Sequence, residues 1–133
     1  MTDKRKVSVR EVMKLKYDMV DGMMSVRDAL LAMKHRENKS LIVEKRDEHD
    51  EYGMVLISDI AKKVLAVDKS PKRVNIYEVM TKPILSIDPE MDIRYSARLF
   101  ERFGLSRAPV VENGKVIGIV SYTDMVLKGL VEI

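Results

Sequence analysis

Apolar positions recur at helical spacing in two segments of the chain. One segment begins after Ser25 and the other after Asp92. In both, the apolar residues follow the i, i+3, i+4, i+7 rule of one helix face, with the small polar Ser96 as one substitute. Serine and aspartate are favoured N-cap residues. The pattern predicts two amphipathic helices with apolar positions Val26, Ala29, Leu30 and Met33, and Ile93, Ala97 and Phe100.

Shorter apolar runs bounded by turn residues predict strands and two closing helices. Single strands are predicted at Tyr17–Val20 and Ile84–Ile87. Asn113-Gly114 suits the tight type I′ turn of a hairpin, whereas the first hairpin has the charged loop Lys45–Glu51 in its place. The predicted hairpins are Leu41–Glu44 with Tyr52–Ile57 and Pro109–Glu112 with Val116–Val120, and the predicted closing helices are Asp59–Val67 and Asp124–Leu130.

The chain repeats itself at a nearly fixed offset. Ser8–Met13 returns 67 positions later as Asn75–Met80, each with a capping-box-like helix start, and Gly53–Asp59 returns after 65 positions as Gly118–Asp124. This duplication predicts an α/β (α+β) fold of two βαββα repeats related by a pseudo-twofold axis. The predicted boundaries are 1–67 for the first repeat, including a short N-terminal tail, 68–73 for a linker, and 74–133 for the second repeat.

The second repeat carries a motif that resembles a known family. The motif reads Val79-Met80-Thr81-Lys82-Pro83, then Ile87-Asp88-Pro89, then Ala108-Pro109-Val110-Val111 through to Asp124. Its order, spacing and duplication resemble the cystathionine-β-synthase (CBS) domain. The first repeat matches more loosely, and the two together cover almost the whole chain. The resemblance identifies a tandem CBS pair, or Bateman module, which we expect to stand alone.

The resemblance implies a regulatory module that binds an adenine nucleotide in a cleft between repeats. The family signature Gly-(apolar)-(apolar)-Ser/Thr-x-x-Asp is matched at every specified position from Gly118 to Asp124. Asp124 can accept both ribose hydroxyls, and Arg107 lies where family members carry a phosphate-directed basic residue. By resemblance, the segment around Thr81 contacts the adenine. The expected nucleotide-binding residues are Thr81, Ile84, Arg107, Ala108, Pro109, Ser121, Thr123 and Asp124.

The same residues also have a structural interpretation. Ser121-x-x-Asp124 has the spacing of a capping box for the last helix, and capping can coexist with binding. Arg107 can equally form a surface ion pair. Gly118 lets its strand pass close to a neighbouring segment or to a ligand. The residue pattern alone leaves both interpretations open.

The first repeat departs from the family pattern. Leu56 occupies the hydroxyl position, and Ser40 aligns with Arg107. A leucine donates no hydrogen bond and would crowd a phosphate or ribose. We therefore expect Ser58 and Asp59 to form at most a weaker second site, in an empty or altered cleft.

Composition narrows the class of protein. With 46% hydrophobic and 34% charged residues, the 133-residue chain is expected to fold as a soluble protein. The absence of cysteine fits a reducing interior, and no apolar run approaches a membrane span, so we expect a cytoplasmic protein without a membrane partner. The net charge of +3 is small and its basic clusters, Lys4–Lys6 and Lys69–Arg73, are modest, which argues against nucleic acid.

Catalysis, a cofactor and a metal site are not expected. The acidic run Asp47–Glu51 lies in a hairpin loop, where such runs are usually solvated. His35 has no nucleophile in view, and the ten methionines suit apolar core positions better than a soft-metal site. The chain contains neither a Gly-x-x-x-x-Gly-Lys phosphate loop nor a Gly-x-Ser-x-Gly motif.

Two functions remain after these exclusions. The first is a homodimeric sensor of an AMP, ADP, ATP or S-adenosyl ligand that regulates a separate, unknown protein. The alternative is a ligand-free dimerisation or protein-interaction module. A homodimer is expected because apolar residues spread widely around both closing helices. They are Ile60, Ala61, Val64 and Leu65 in one helix and Met125, Val126, Leu127 and Leu130 in the other.

Overall fold

The computed structural model describes residues 5–132. The start of the predicted N-terminal tail, including Lys4 of the basic cluster, lies outside the described residues. The α-helices are α1 (Val9–Val12), α2 (Val26–Ala32), α3 (Ile57–Ile60), α4 (Ile93–Phe103) and α5 (Tyr122–Val126). The strands are β1 (Met19–Val20), β2 (Ser40–Val43), β3 (Gly53–Leu56), β4 (Arg107–Glu112) and β5 (Lys115–Ser121). Short 3-10 helices form at Arg36–Asn38 and Ile76–Glu78, and π-helical turns extend α3 over Ala61–Leu65 and α5 over Leu127–Glu132.

Internal contacts divide the chain into two compact units. The middle unit is Tyr17–Ile84, and the terminal unit joins the described part of Met1–Lys16 to that of Leu85–Ile133. Each unit contains one small sheet, so the predicted α+β class is confirmed. Among the described helices, none combines the length and the apolar character needed to cross a membrane.

The middle unit is built on a three-stranded sheet. Strand β1 runs parallel to β2, which pairs antiparallel with β3 so that Ser40 lies opposite Leu56. Helix α2 begins as predicted, because the Ser25 hydroxyl accepts a 3.0 Å hydrogen bond from the Asp28 N–H. The buried core consists of Val20, Val26, Ala29, Met33, Leu41, Val43, Val55, Val64, Val74, Ile76 and Val79.

The terminal unit is built on the β4–β5 hairpin. Asn113 and Gly114 have φ angles of 54° and 78°, which confirms the predicted tight turn of two left-handed residues. Helix α4 begins after Asp92, whose carboxylate accepts a 2.8 Å hydrogen bond from the Arg94 N–H. The buried core consists of Val7, Val9, Val12, Ile87, Ile93, Phe100, Ala108, Val110, Val120 and Met125.

The single strands predicted before the two amphipathic helices are shorter than expected. Tyr17–Val20 is reduced to Met19–Val20, and Ile84–Ile87 is reduced to one parallel bridge between Ile87 and Val110. Both predicted strands begin where the chain crosses from one unit to the other. Only the last residues of each predicted strand lie beside a partner: Met19 and Val20 pair with β2, and Ile87 pairs with Val110 on β4.

The opening segment of each repeat forms a β-bridge with the sheet of the other repeat. In the terminal unit, Lys14 of the first repeat forms an antiparallel bridge with Ile119 on β5; in the middle unit, Thr81 of the second repeat does the same with Met54 on β3. The compact units therefore do not follow the repeat boundaries 1–67, 68–73 and 74–133. Those boundaries stay a prediction about the duplication.

Candidate functional site

The free end of the β4–β5 hairpin brings the predicted site residues of the second repeat together. Arg107 at the start of β4 lies directly opposite Ser121 at the end of β5. The Tyr122 N–H donates a 3.1 Å hydrogen bond to the Ser106 carbonyl, which closes this end of the hairpin where α5 begins. Asp124 follows in the first turn of α5. Arg107, Ser121 and Asp124 therefore share one end of the sheet.

The opening segment of the first repeat borders this end on the other edge of β5. Lys14 and Ile119 exchange two backbone hydrogen bonds, of 2.8 and 2.9 Å. Opposite Ile119 on β4 is Pro109, which has no N–H to donate; the position tolerates proline because both polar groups of Ile119 point to Lys14. A Cβ on residue 118 would lie 2.7 Å from the Lys14 carbonyl oxygen, so Gly118 is required by a neighbouring segment.

Asp124 is a buried carboxylate that caps α5 with only one of its two oxygens. Its Oδ2 accepts hydrogen bonds from the Ser121 backbone N–H and from the Ser121 hydroxyl, both of 3.0 Å. The Ser121 hydroxyl in turn accepts the Asp124 N–H at 3.2 Å. The capping-box interpretation is confirmed, and α5 begins at Tyr122, two residues before the predicted start. The single hydroxyl proton of Ser121 is committed to Asp124 in this arrangement.

The second oxygen of Asp124 has a different environment. Two ammonium groups lie near Oδ1, Lys14 Nζ at 3.8 Å and Lys128 Nζ at 3.9 Å. Among the described residues, none donates a hydrogen bond to Oδ1, although the side chain is only 4% exposed. A buried carboxylate oxygen without a donor is a strong acceptor for a hydroxyl group. The capping oxygen and the acceptor oxygen are therefore separate, and both roles fit one side chain.

The remaining predicted residues of the second repeat differ in exposure and in the unit to which they belong. Arg107 is partly buried, and its Nε–H donates a 3.3 Å hydrogen bond to the Ser106 hydroxyl. Ala108 and Pro109 are buried in β4, and Thr123 is exposed. Thr81 and Ile84 belong to the middle unit, so their contact with the adenine stays a prediction.

The equivalent end of the middle unit has the same backbone but a poorer set of side chains. Ser40 lies opposite Leu56, and the Leu56 N–H donates a 2.9 Å hydrogen bond to Asp59 Oδ2. A leucine side chain cannot accept the Asp59 N–H, so only one of the two hydrogen bonds of a capping box forms here. The buried Ser40 hydroxyl finds no hydrogen-bond partner among the described residues. Ser58 is exposed and Asp59 partly exposed.

Sequence reasoning missed the two lysines beside Asp124. Lys128 follows Asp124 by four residues, a spacing that places both on one helix face and is visible in the sequence. The same spacing links Lys63 to Asp59, yet Lys63 Nζ donates to the Val79 carbonyl at 3.3 Å. Lys14 is distant in sequence, and only the exchange of opening segments brings it to Asp124.

The acidic loop of the first hairpin forms an ion pair within the middle unit. Lys82 Nζ lies 2.7 Å from Asp50 Oδ2, and Arg46 Nε lies 3.2 Å from the same oxygen. The hydrogen bond from Lys82, with the Arg46 backbone N–H second, holds the pKa of Asp50 well below its usual range. No three metal-ligating side chains cluster within the described part of the chain.

The middle unit also contains a cleft of about 620 Å³. Val43 and Glu44 line it, and they lie at the end of β2 opposite to Ser40. The cleft is therefore separate from the Ser40, Leu56 and Asp59 end of the same sheet.

Comparisons with known proteins place these features in a family. A family model described as CBS domain matches residues 76–129. An uncharacterized protein of Methanopyrus kandleri is 31% identical over 125 residues, which make up 91% of this chain and 62% of the relative. A CBS-CP12 protein from bloom-forming cyanobacteria, described as hexameric, superposes with a TM-score of 0.88 at 37% identity, covering 93% of this chain and 72% of that one.

A more distant structure shares the fold. It is a CBS domain pair in complex with 5′-methylthioadenosine and S-adenosyl-L-methionine, with a TM-score of 0.76 at 24% identity, covering 91% of this chain and 94% of that one. This chain spans 62% of the length of the Methanopyrus relative and 58% of that of an uncharacterized Methanocaldococcus jannaschii relative.

Proposed function

This chain belongs to the CBS-domain family as a tandem pair, and on that premise we propose that its second repeat binds an adenine nucleotide at Asp124. The proposal is carried by the Asp124 carboxylate, which is buried, capped through Oδ2 and left with an acceptor at Oδ1. A ribose offers two adjacent hydroxyl donors that can converge on this oxygen. The capping hydrogen bonds hold the carboxylate in place for them, so little ordering is needed on binding.

The phosphate of the ligand is assigned to basic side chains. The Ser121 hydroxyl donates its hydrogen bond to Asp124 Oδ2, so it has no proton left for a phosphate. Arg107 lies opposite Ser121 across the hairpin and offers a planar guanidinium that suits a phosphate. Thr123, Ala108 and Pro109 complete the proposed site in the terminal unit, and Thr81 and Ile84 stay predicted adenine contacts.

The module is proposed to act as a regulator and not as an enzyme. The structural neighbour solved with adenosyl compounds supports a ligand of this class. AMP, ADP, ATP and S-adenosyl compounds all present the ribose that Asp124 would hold, and their different charges would be distinguished at Arg107. The output would be a change in the affinity for a separate protein.

A thermal-shift titration tests the proposal directly. AMP, ADP, ATP, S-adenosyl-L-methionine and adenosine are compared with 2′-deoxyadenosine, which lacks one ribose donor. At roughly 100 times Kd, a ligand that binds only the folded state adds about 2.7 kcal/mol to the free energy of unfolding. Asp124→Asn should lose the shift, and Asp59→Asn, the matched control, should retain it. If none of these ligands shifts the unfolding temperature of the wild type, the proposed function is wrong.

A second role, self-association, is favoured by the surface of the terminal unit. Four apolar side chains of the last helix are 48–72% exposed, namely Val126, Leu127, Leu130 and Val131. Exposed apolar patches of this kind mark interfaces, and a homodimer would cover them. The cyanobacterial relative is described as hexameric. Light scattering that reports only a 15.3 kDa species at micromolar concentration would contradict the homodimer.

A further inference from the structure

We propose that Lys14, acting together with Arg107, makes the Asp124 site select phosphorylated over unphosphorylated nucleosides, an inference that rests on the proposed function. Lys14 comes from the opening segment of the first repeat, outside the motif that identifies the site. It is placed there by its bridge to Ile119 and by the close approach at Gly118. The site of the second repeat thus takes one of its charges from the first repeat.

The position of the Lys14 ammonium gives it two roles. At 3.8 Å from Asp124 Oδ1, it lies beside the oxygen that the ribose would engage. The distance between Lys14 Nζ and Asp124 Oδ1 is too long for a hydrogen bond, and the Lys14 side chain is 34% exposed. The ion pair is therefore weak, and a ligand can displace the ammonium. A neutral nucleoside has to displace the Lys14 ammonium from Asp124 and offers it no other anion. A nucleotide also displaces the ammonium, but its phosphate gives the ammonium a new anionic partner.

Geometry favours Lys14 over Lys128 for this task. Lys14 is paired with Ile119 on β5, and Ile119 lies two residues before Ser121. Arg107 lies opposite Ser121 on β4. Lys14 and Arg107 therefore flank the end of β5 from its two edges. Lys128 lies one helical turn beyond Asp124, farther along the helix from the hairpin. Its charge is at a similar distance from Oδ1, which makes it the control for a general electrostatic effect.

The middle unit lacks this device. Thr81 occupies the position equivalent to Lys14, paired with Met54 on β3. The next residue, Lys82, is held by Asp50 at 2.7 Å. Neither supplies a cation to Asp59 in this structure. Selectivity for phosphate is therefore a property of the second repeat's site.

Titration calorimetry with AMP and adenosine on Lys14→Met tests the inference. The two affinities should move in opposite directions. AMP should weaken roughly 10-fold or more, because a charge-assisted contact is lost. Adenosine should tighten by up to about 5-fold, because a competing ion pair is removed. Lys14→Arg should keep most of the preference for AMP.

The control and the failure outcomes are distinct. Lys128→Met should change both affinities by a similar factor and leave the AMP-to-adenosine ratio within about 2-fold. Circular dichroism checks that each variant is folded. If the ratio is unchanged in Lys14→Met, or falls equally in Lys128→Met, the selectivity role is wrong while nucleotide binding stands. If the wild type binds neither AMP nor adenosine, this inference fails, and the proposed function fails as well only if ADP, ATP and S-adenosyl-L-methionine also leave the unfolding temperature unchanged.

Discussion

The free ends of the two hairpins share a backbone and differ in the side chains it carries. In both, a foreign opening segment bridges the last strand, and an aspartate accepts the N–H of the N-cap residue. In the terminal unit the N-cap is Ser121, Asp124 is almost fully buried, and two lysines lie within 4 Å. In the middle unit the N-cap is Leu56 and Asp59 is partly exposed.

The comparison shows that the same backbone arrangement can carry different polar side chains: one hairpin end has a hydroxyl and cations around its aspartate, and the other does not. In each unit, the bridge and the close approach at a glycine pack the hairpin against its opening segment through backbone groups and a methionine side chain. The two ends differ in the N-cap hydroxyl, the lysines and the arginine opposite the cap, and we propose that these groups decide what each end binds. The duplication therefore gives two hairpin ends with a similar backbone, and we propose a nucleotide site only at the end in the second repeat.

Replacing each aspartate in turn should give the largest difference in nucleotide affinity between the two hairpin ends. Asp124→Asn is expected to weaken nucleotide binding roughly 10- to 150-fold, because a charged acceptor is lost in a buried position. Asp59→Asn should change the affinity less than about 2-fold. Isothermal titration of both variants provides the measurement, and equal losses would show that Leu56 is no obstacle.

Replacing the two equivalent glycines, Gly118 and Gly53, by alanine should lower the free energy of unfolding by different amounts. In Gly118→Ala the new Cβ would meet the Lys14 carbonyl oxygen at 2.7 Å, so the backbone must shift, at a cost of about 1–3 kcal/mol. In Gly53→Ala the equivalent backbone atom, the Thr81 carbonyl oxygen, would lie at 3.2 Å, and Met80 Sδ at 3.0 Å belongs to a flexible side chain, so a smaller shift is needed and the cost should be smaller. Urea unfolding of both variants measures the difference, and a larger loss for Gly53→Ala would contradict the prediction.

The N-cap hydroxyl should contribute a smaller amount. Ser121→Ala removes the acceptor of the Asp124 N–H and one donor to Oδ2, which should lower the free energy of unfolding by about 1 kcal/mol. Ser58→Ala is the matched control, because Ser58 is exposed in the first turn of the equivalent helix. It should stay within about 0.5 kcal/mol of the wild type. A Ser58→Ala variant as unstable as Ser121→Ala would refute the difference between the two caps.

Acid should weaken the middle unit slightly through Asp50. Its depressed pKa means that the pair with Lys82 stabilises the folded state above the ordinary aspartate pKa of 3.8, and this stability is lost as the pH falls below it. Lys82→Met should flatten that part of the stability-versus-pH curve. Unfolding by urea from pH 6 to pH 2.5 measures it. The terminal unit has the Asn113-Gly114 turn in place of this loop, so Lys115→Met should leave the curve unchanged.

The elements that rest on local patterns were predicted well. The Ser25 and Asp92 caps, the Asn113-Gly114 turn and the Ser121-Asp124 box all depend on residues within a few positions of one another, and all are confirmed. The predicted strands at Tyr17–Val20 and Ile84–Ile87 are longer than the observed pairing, because which residues find a partner strand depends on tertiary packing that no local pattern reports. Lys14 was missed for the same reason.

The exchange of opening segments also bears on the order in which the chain folds. The middle unit is one continuous stretch, Tyr17–Ile84, whereas the terminal unit is assembled from both ends of the chain. Bringing Lys14 to Ile119 closes a long loop, and the entropy of that closure opposes early formation of the terminal unit. If Tyr17–Ile84 collapses first, it shortens the effective loop and lowers this barrier. The proposed ligand site needs both Lys14 and Asp124, so it then forms only after the middle unit has brought the two parts of the terminal unit together.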